Sequence, residues 1–168
     1  MLTDWPKVVA KMVLYALILT MIFMVVVWAV VLIQSNNQMQ NLLADLVQIV
    51  SDENCLSEEG GGSSTAAIFE KALEDSETSW LTFKTRYDTS PDPTDPNAVL
   101  VCEPGHPSTV YNSYVNAPQR GAHIHVELRG KVTLPVLIAP FGQERLKITV
   151  PYTKSFNTMA LKYFKDKS

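Results

Sequence analysis

The residues best placed to do chemistry are His123, His125 and Glu127, which alternate as His123-x-His125-x-Glu127. On an extended strand this spacing sets all three side chains on one face at intervals of ~6.5 to 7 Å, suitable for two or three ligands of Zn²⁺. A further ligand would have to come from the remote His106 or Glu103, so the plainer expectation is a solvated strand face that tolerates histidine, with no metal and no cofactor. Asp88, Asp92 and Asp95 form a second set, with carboxylates for Ca²⁺. Their spacing matches no EF-hand loop, and Pro91, Pro93 and Pro96 restrict the chain, which predicts a solvated, stiffened loop. No G-x-S-x-G, H-E-x-x-H, P-loop or G-x-G-x-x-G pattern occurs. No enzymatic activity is predicted; a metal-dependent envelope enzyme using His123 and His125 is the weaker alternative.

Cys55 and Cys102 are the only cysteines. An even pair outside a membrane forms a disulfide more often than a metal or catalytic site. A Cys55–Cys102 bridge would close a loop of about 47 residues, worth ~4 kcal/mol on the chain-entropy model, and would tie helix to sheet. The competing expectation is two separate, partly buried thiols.

The elements that position these residues begin with an uncharged apolar run from Met12 to Ile33, which at ~1.5 Å per residue covers the ~30 Å hydrocarbon core of a bilayer. Beyond it Met39, Leu42, Leu43, Leu46, Val47 and Val50 follow the helical period as one apolar stripe. No glycine precedes Gly60, and Pro6 sits in an acceptable first-turn position behind Thr3 or Asp4, so one unbroken helix is predicted from about Lys7 to Ser51. The run exceeds the h-region of a secretory signal and no small-x-small site follows it, which predicts a retained span. Lys7 and Lys11 precede the span, whereas the next basic residue is Lys71, so the N-terminus is expected in the cytoplasm and residues from 34 onward outside. Trp5, Tyr15 and Trp28 read as interfacial or helix-packing aromatics. A formal charge of −3 without a clustered basic face gives no footprint for nucleic acid.

Three regions are expected: a long helix over 1–52, a Gly/Ser linker and short helix over 53–79, and a β-rich extracytoplasmic domain over 80–168. Ser57 to Ser64 has the composition of a flexible loop. Thr65 is the expected cap of a helix to about Asp75 with Ile68, Phe69, Ala72 and Leu73 on its inner face. Alternation predicts strands at Trp80 to Tyr87, at Ala98 to Cys102, at His123 to Pro135 with a bulge or bend at Gly130, and at Leu146 to Tyr152 after a Pro140-Phe141-Gly142 turn. Glu103 to Ala122 reads as a long irregular connection pinned by Tyr111, Tyr114 and Val115. The late residues Lys154, Lys162, Lys165 and Lys167 read as a solvated tail. The sum is an α+β fold: one long N-terminal helix whose second half covers the inner face of a small antiparallel sheet with a polar outer face.

A helix that is membranous first and sheet-packed second, followed by a small antiparallel sheet and two cysteines, resembles a type IV pilin or pseudopilin. Val126-Glu127-Leu128-Arg129-Gly130-Lys131-Val132-Thr133-Leu134-Pro135-Val136, then Ala139-Pro140-Phe141-Gly142 and Lys147-Ile148-Thr149-Val150-Pro151, is similar to the paired strands of TadE-like minor pilins of tight-adherence systems. The resemblance implies a structural subunit held in the membrane before polymerisation, whose helix then packs with copies of itself and other pilin-like subunits in an extracellular filament. Val26, Ala29 and Leu32 are the expected assembly positions, and neither nucleic acid nor a small-molecule substrate is an expected partner. Where pilins carry a carboxylate near the mature N-terminus, this chain offers Asp4. The alternative is a single-pass anchored extracytoplasmic accessory or binding domain of a secretion or conjugation apparatus.

Overall fold

The computed structural model describes residues 5–78, 80–82, 99–136 and 147–164. Helix α1 spans Trp5–Glu53 without interruption, about 73 Å at the standard rise, as the absence of glycine and internal proline requires. It is followed by a 3₁₀ turn, Gly61–Ser63, and helix α2, Thr65–Ser76. The strands are β1 Leu81–Thr82, β2 Val99–Glu103, β3 His106–Val110, β4 His123–Pro135 and β5 Lys147–Met159. The fold is α+β, with one helix laid along an antiparallel sheet.

β4 is the axis of the sheet. β5 pairs with it from His123↔Met159 to Pro135↔Lys147, while β2 and then β1 take its other edge through Val99↔Leu128 and Leu81↔Val132. The predicted alternation holds throughout β4: Ile124, Val126, Leu128, Val132 and Leu134 are buried, and His123, His125, Glu127 and Arg129 occupy the opposite face. No bulge forms at Gly130. The register continues through Gly130↔Tyr152, and Tyr152, from the strand beside it, donates its hydroxyl to Asn36 Oδ1 of α1 at 2.5 Å.

The inner face is covered by α1. Met39, Leu42, Leu43, Leu46 and Val50 are buried and Val47 is half-buried against the same core, as the stripe predicts. At ~25 cal/mol per Å² of apolar surface, each such leucine contributes roughly 1.5–3 kcal/mol. The covered face extends further toward the N-terminus than the stripe, through Ser35 and Val31 to Met24, so buried positions are found along more than half of the helix.

Several local expectations are corrected. Ser64, not Thr65, caps α2: its Oγ accepts from Ala67 N at 3.1 Å, while the Thr65 hydroxyl is engaged with the backbone of Ser57. Ala66, Phe69 and Leu73 face the core, whereas Ile68 is 54% exposed. The Gly/Ser segment is pinned at both ends, where Ser57 and Ser64 are buried. The connection expected to be irregular holds β3, which turns back on β2 at Pro104-Gly105 with Gly105 at φ 82. Its polar composition and Pro107 hid it, and an exposed edge strand tolerates both. Tyr111 does pin the following loop, but Val115 is 82% exposed. The strand expected from Trp80 to Tyr87 is described only at its start, as β1. The Asp88, Asp92 and Asp95 loop and the Pro140-Phe141-Gly142 turn lie outside the described residues.

Candidate functional site

Two surfaces carry the functional question: the part of α1 that leaves the sheet, and the sheet face that bears the histidines. Every side chain from Trp5 to Phe23 is exposed, and Met24 is the first to be buried. This is one helix long and apolar enough to cross a membrane. Within this part the Thr20 hydroxyl returns a hydrogen bond to Ala16 O at 2.8 Å, so that it does not face an apolar medium unpaired. Val26, Ala29 and Leu32, the expected assembly positions, are all exposed. They lie off the row Met24, Val31, Ser35 that the sheet covers.

Farther along the helix a groove of about 330 Å³ opens between α1 and β5, lined by Gln40, Leu43, Ala44, Val47, Gln48 and Phe156. Phe156 pairs with Val126 and shares its face of the sheet, yet it is 54% exposed because β5 overhangs the helix flank. The groove therefore offers apolar surface beside the stripe that fixes the domain to its helix.

The opposite sheet face is not freely solvated, because its charged and polar side chains pair with one another. Arg129 Nε donates to Glu127 Oε1 at 2.7 Å, both side chains being only 17% exposed. His125 Nδ1 lies 2.6 Å from Asn157 Oδ1, and its Nε2 lies 3.7 Å from Glu127 Oε2. His123 shares this face but is exposed at the strand end. Among the described residues no three His, Cys, Asp or Glu side chains are grouped to hold a metal ion. The Glu127 carboxylate, the ligand that His123-x-His125-x-Glu127 would have supplied, is taken by Arg129.

Strand register also places Cys102, His125 and Asn157 in one row across β2, β4 and β5. They line a cleft of about 370 Å³ together with Glu127, Arg129 and the Pro104-Gly105 turn. These are the residue types of a thiol nucleophile with its base and orienting amide. The electrostatics run the other way: burial pushes the Cys102 thiol up from its ordinary value and the Glu127 charge pushes it further, against a smaller lowering by Arg129. A nucleophilic cysteine needs the reverse.

The predicted disulfide is not formed. Cys55 and Cys102 are both buried thiols. Cys55 belongs to the core beneath the sheet, with Val99 and Val101, whereas Cys102 follows Val101 on β2 and so opens to the other face. Strand alternation separates the two sulfurs by the thickness of the sheet.

Sequence reasoning missed the residue that locks the helix end. Asn54 is fully buried at φ 62, the left-handed conformation in which a helix commonly terminates. Its amide donates to Pro118 O at 2.9 Å and Lys162 O at 2.7 Å, and its Oδ1 accepts from Lys162 N at 3.0 Å. The chain end expected to be a solvated tail is thus fastened. Lys162 pairs with Glu53 and lies 5.2 Å from the Tyr114 ring, and Tyr114 donates to Glu53 at 3.3 Å. A carboxylate in the last turn of a helix opposes its dipole, and the Lys162 ammonium offsets that. Burial and the Glu53 charge hold the Tyr114 phenol above its ordinary value. Lys165 and Lys167 lie outside the described residues. The available signal was Asn54 at the end of the apolar period, a residue type that accepts positive φ.

Compared with known proteins, the chain matches no family model, no curated protein and no solved structure. The likeness to pilins is one of shape: a long N-terminal apolar helix packed on an antiparallel sheet.

Proposed function

We propose that the chain is a structural subunit of an extracellular pilus-like filament, assembled through α1 with copies of itself and other pilin-like subunits, close in kind to the TadE-like minor pilins. Before assembly it is held in the cell membrane by the same helix, with its N-terminus in the cytoplasm. The observation that carries the reading is continuity: the uncovered apolar helix from Trp5 to Phe23 runs without a break into the stripe that bears the domain. The domain is packed on the second half of the same helix, and the apolar end can exchange lipid for neighbouring helices of similar polarity. The groove at Leu43, Val47 and Phe156 adds apolar surface beside the domain, which a bare anchor does not require.

The test uses changes that stay apolar. An anchor needs only hydrophobicity, whereas helices packed on helices lose dispersion contacts when contour changes. Val26→Leu, Ala29→Leu and Leu32→Ala should leave cellular protein levels near normal while at least one abolishes fibres seen by electron microscopy of cell-surface preparations. Normal assembly in all three, or wild-type chain found only as membrane-bound monomer, would replace this reading by the anchored accessory domain of a secretion or conjugation apparatus.

A further inference from the structure

β5 runs beside α1 in the same direction. The Trp28 indole donates to Pro135 O, opposite Lys147 in the register, Tyr152 reaches Asn36, and Ser51 Oγ lies 2.7 Å from Thr158 Oγ1. One edge of β5 pairs with β4, and hydrogen bonds at the strand ends identify the residues that face away from it. Ala160 N donates to Ala122 O in continuation of the β4 register, whereas Leu161, the next residue, donates its N–H to Ser51 O of α1. Thr133 on β4 likewise turns from β5 and donates to Trp80 O. By alternation, Thr153, Ser155, Asn157 and Met159 direct their N–H and C=O groups outward. Among the described residues no strand and no backbone hydrogen bond closes that edge.

Proteins blunt such edges with proline, bulges or inward-pointing charge. Pro151 does so once, at an outward position where its missing N–H costs the β4 ladder nothing. Beyond it the register runs unbroken to Met159. The inner face of this stretch is also short of cover, since Phe156 is 54% exposed beside the groove that Leu43, Ala44 and Val47 line. A strand added ~4.8 Å outside β5 carries its inner side chains over that groove. Lys154 shares the inner face through its pairing with Leu128 and is half-buried, with Nζ 5.8 Å from the Tyr152 ring centroid. It has no carboxylate partner among the described residues.

We propose that β5 is a docking edge for a strand donated by a second protein: an extended segment that pairs along 152–159, sets apolar side chains at alternate positions into the groove, and meets Lys154 with a carboxylate. The open edge and the uncovered groove are separate observations that fit one occupant. Main-chain pairing supplies affinity in strand addition, and pockets for alternate side chains supply selectivity. Lys154 deters an uncharged strand and favours an acidic one. The edges of a second copy fit less well. Antiparallel pairing of two β5 strands turns one α1 end for end, so the two apolar helix ends point in opposite directions, which neither one membrane nor one filament of common polarity accommodates. β3, the other edge of the sheet, would bring His106, Ser108 and Thr109 rather than an apolar row. The inference does not depend on the filament, in which the donor would be another pilin-like subunit.

The test uses the full-length chain in detergent and a capped synthetic peptide of ~8 residues that alternates valine with threonine and carries one glutamate on the valine face. Before peptide is added, amide exchange followed by NMR should be fast at Thr153, Ser155 and Asn157 and slow at Lys154, Phe156 and Thr158. Peptide should slow the first set toward the second. A peptide N-methylated on its pairing side should fail to do so, and one with lysine in place of glutamate should bind more weakly. Ser155→Pro blocks the edge at an outward position equivalent to that of Pro151, so it should keep the parent's unfolding midpoint and lose the peptide. Should that variant fail to fold, the N-methylated peptide makes the same comparison on the parent chain. No binding of the first peptide, equal binding of either altered peptide, or undiminished binding by folded Ser155→Pro would overturn the proposal. Protection of Thr153, Ser155 and Asn157 that appears without peptide and rises with chain concentration would assign the edge to a second copy and overturn it as well.

Discussion

Asn54 shows how much of this fold hangs on one polar side chain. It ends a helix of 49 residues, adopts the backbone angle that lets the chain turn, and holds both Pro118 and Lys162 by their carbonyls. Replacing it by Ala leaves those carbonyls and the Lys162 N–H without their side-chain partner in a site closed to water. The expected loss is about 2–4 kcal/mol in urea unfolding of the detergent-solubilised chain. Asn54→Gly relieves the backbone strain but restores none of the hydrogen bonds, so it should recover only part of that loss. Equal stability of Asn54→Gly and the parent would show that backbone angle alone matters. On the other face, the histidines were legible as a row but not as a paired row. Arg129 was assigned its face from alternation, yet its claim on Glu127 depends on both side chains being half-buried, which spacing alone does not reveal.

At the scale of elements, the period of the apolar residues carried most of the information. The stripe from Met39 to Val50 and the alternation through β4 each followed from one face meeting the core, and both are as the pattern requires. Elements fixed by something other than apolar period were missed. β3 is exposed along its length and was hidden by Pro107, and β5 continues past Tyr152 through polar residues because pairing with β4 sustains it. The disulfide failed for a reason of the same kind: cysteine count says nothing about faces, and the order Val101-Cys102 on a strand turns the second sulfur away from the core. The stripe can be tested against the bare half of the helix. Leu46→Ala, at a site with no exposure, should cost ~2–5 kcal/mol of domain stability. Leu17→Ala, in the uncovered part, should leave urea unfolding of the domain unchanged. A similar loss from both would mean that the apolar end supports the domain, contrary to its exposure here.

For the whole molecule, α1 divides into a covered and an uncovered part, a division that a filament subunit and a tethered domain would share. Both need the first twenty-odd residues to be apolar, so those residues alone do not discriminate. Phe156 does, because it sits on the domain, beside a groove that this chain leaves open. In a tethered monomer its ring is half in water, and Phe156→Ser removes surface that the fold hardly uses. In a filament the groove is where the flank of one subunit can receive apolar surface of the next, and a polar hydroxyl there forfeits both burial and contact. Phe156→Ser is therefore expected to leave membrane insertion and the thermal unfolding midpoint close to the parent's while sharply reducing the yield of sheared surface fibres. Leu43→Ala cannot serve the same purpose, since Leu43 belongs to the core and its loss would weaken the domain first. Fibres of normal yield from Phe156→Ser would confine any assembly contact to the helix itself. Together with unaffected assembly in the Val26, Ala29 and Leu32 variants, that result would leave a domain that stands on the membrane by its helix and touches no second copy.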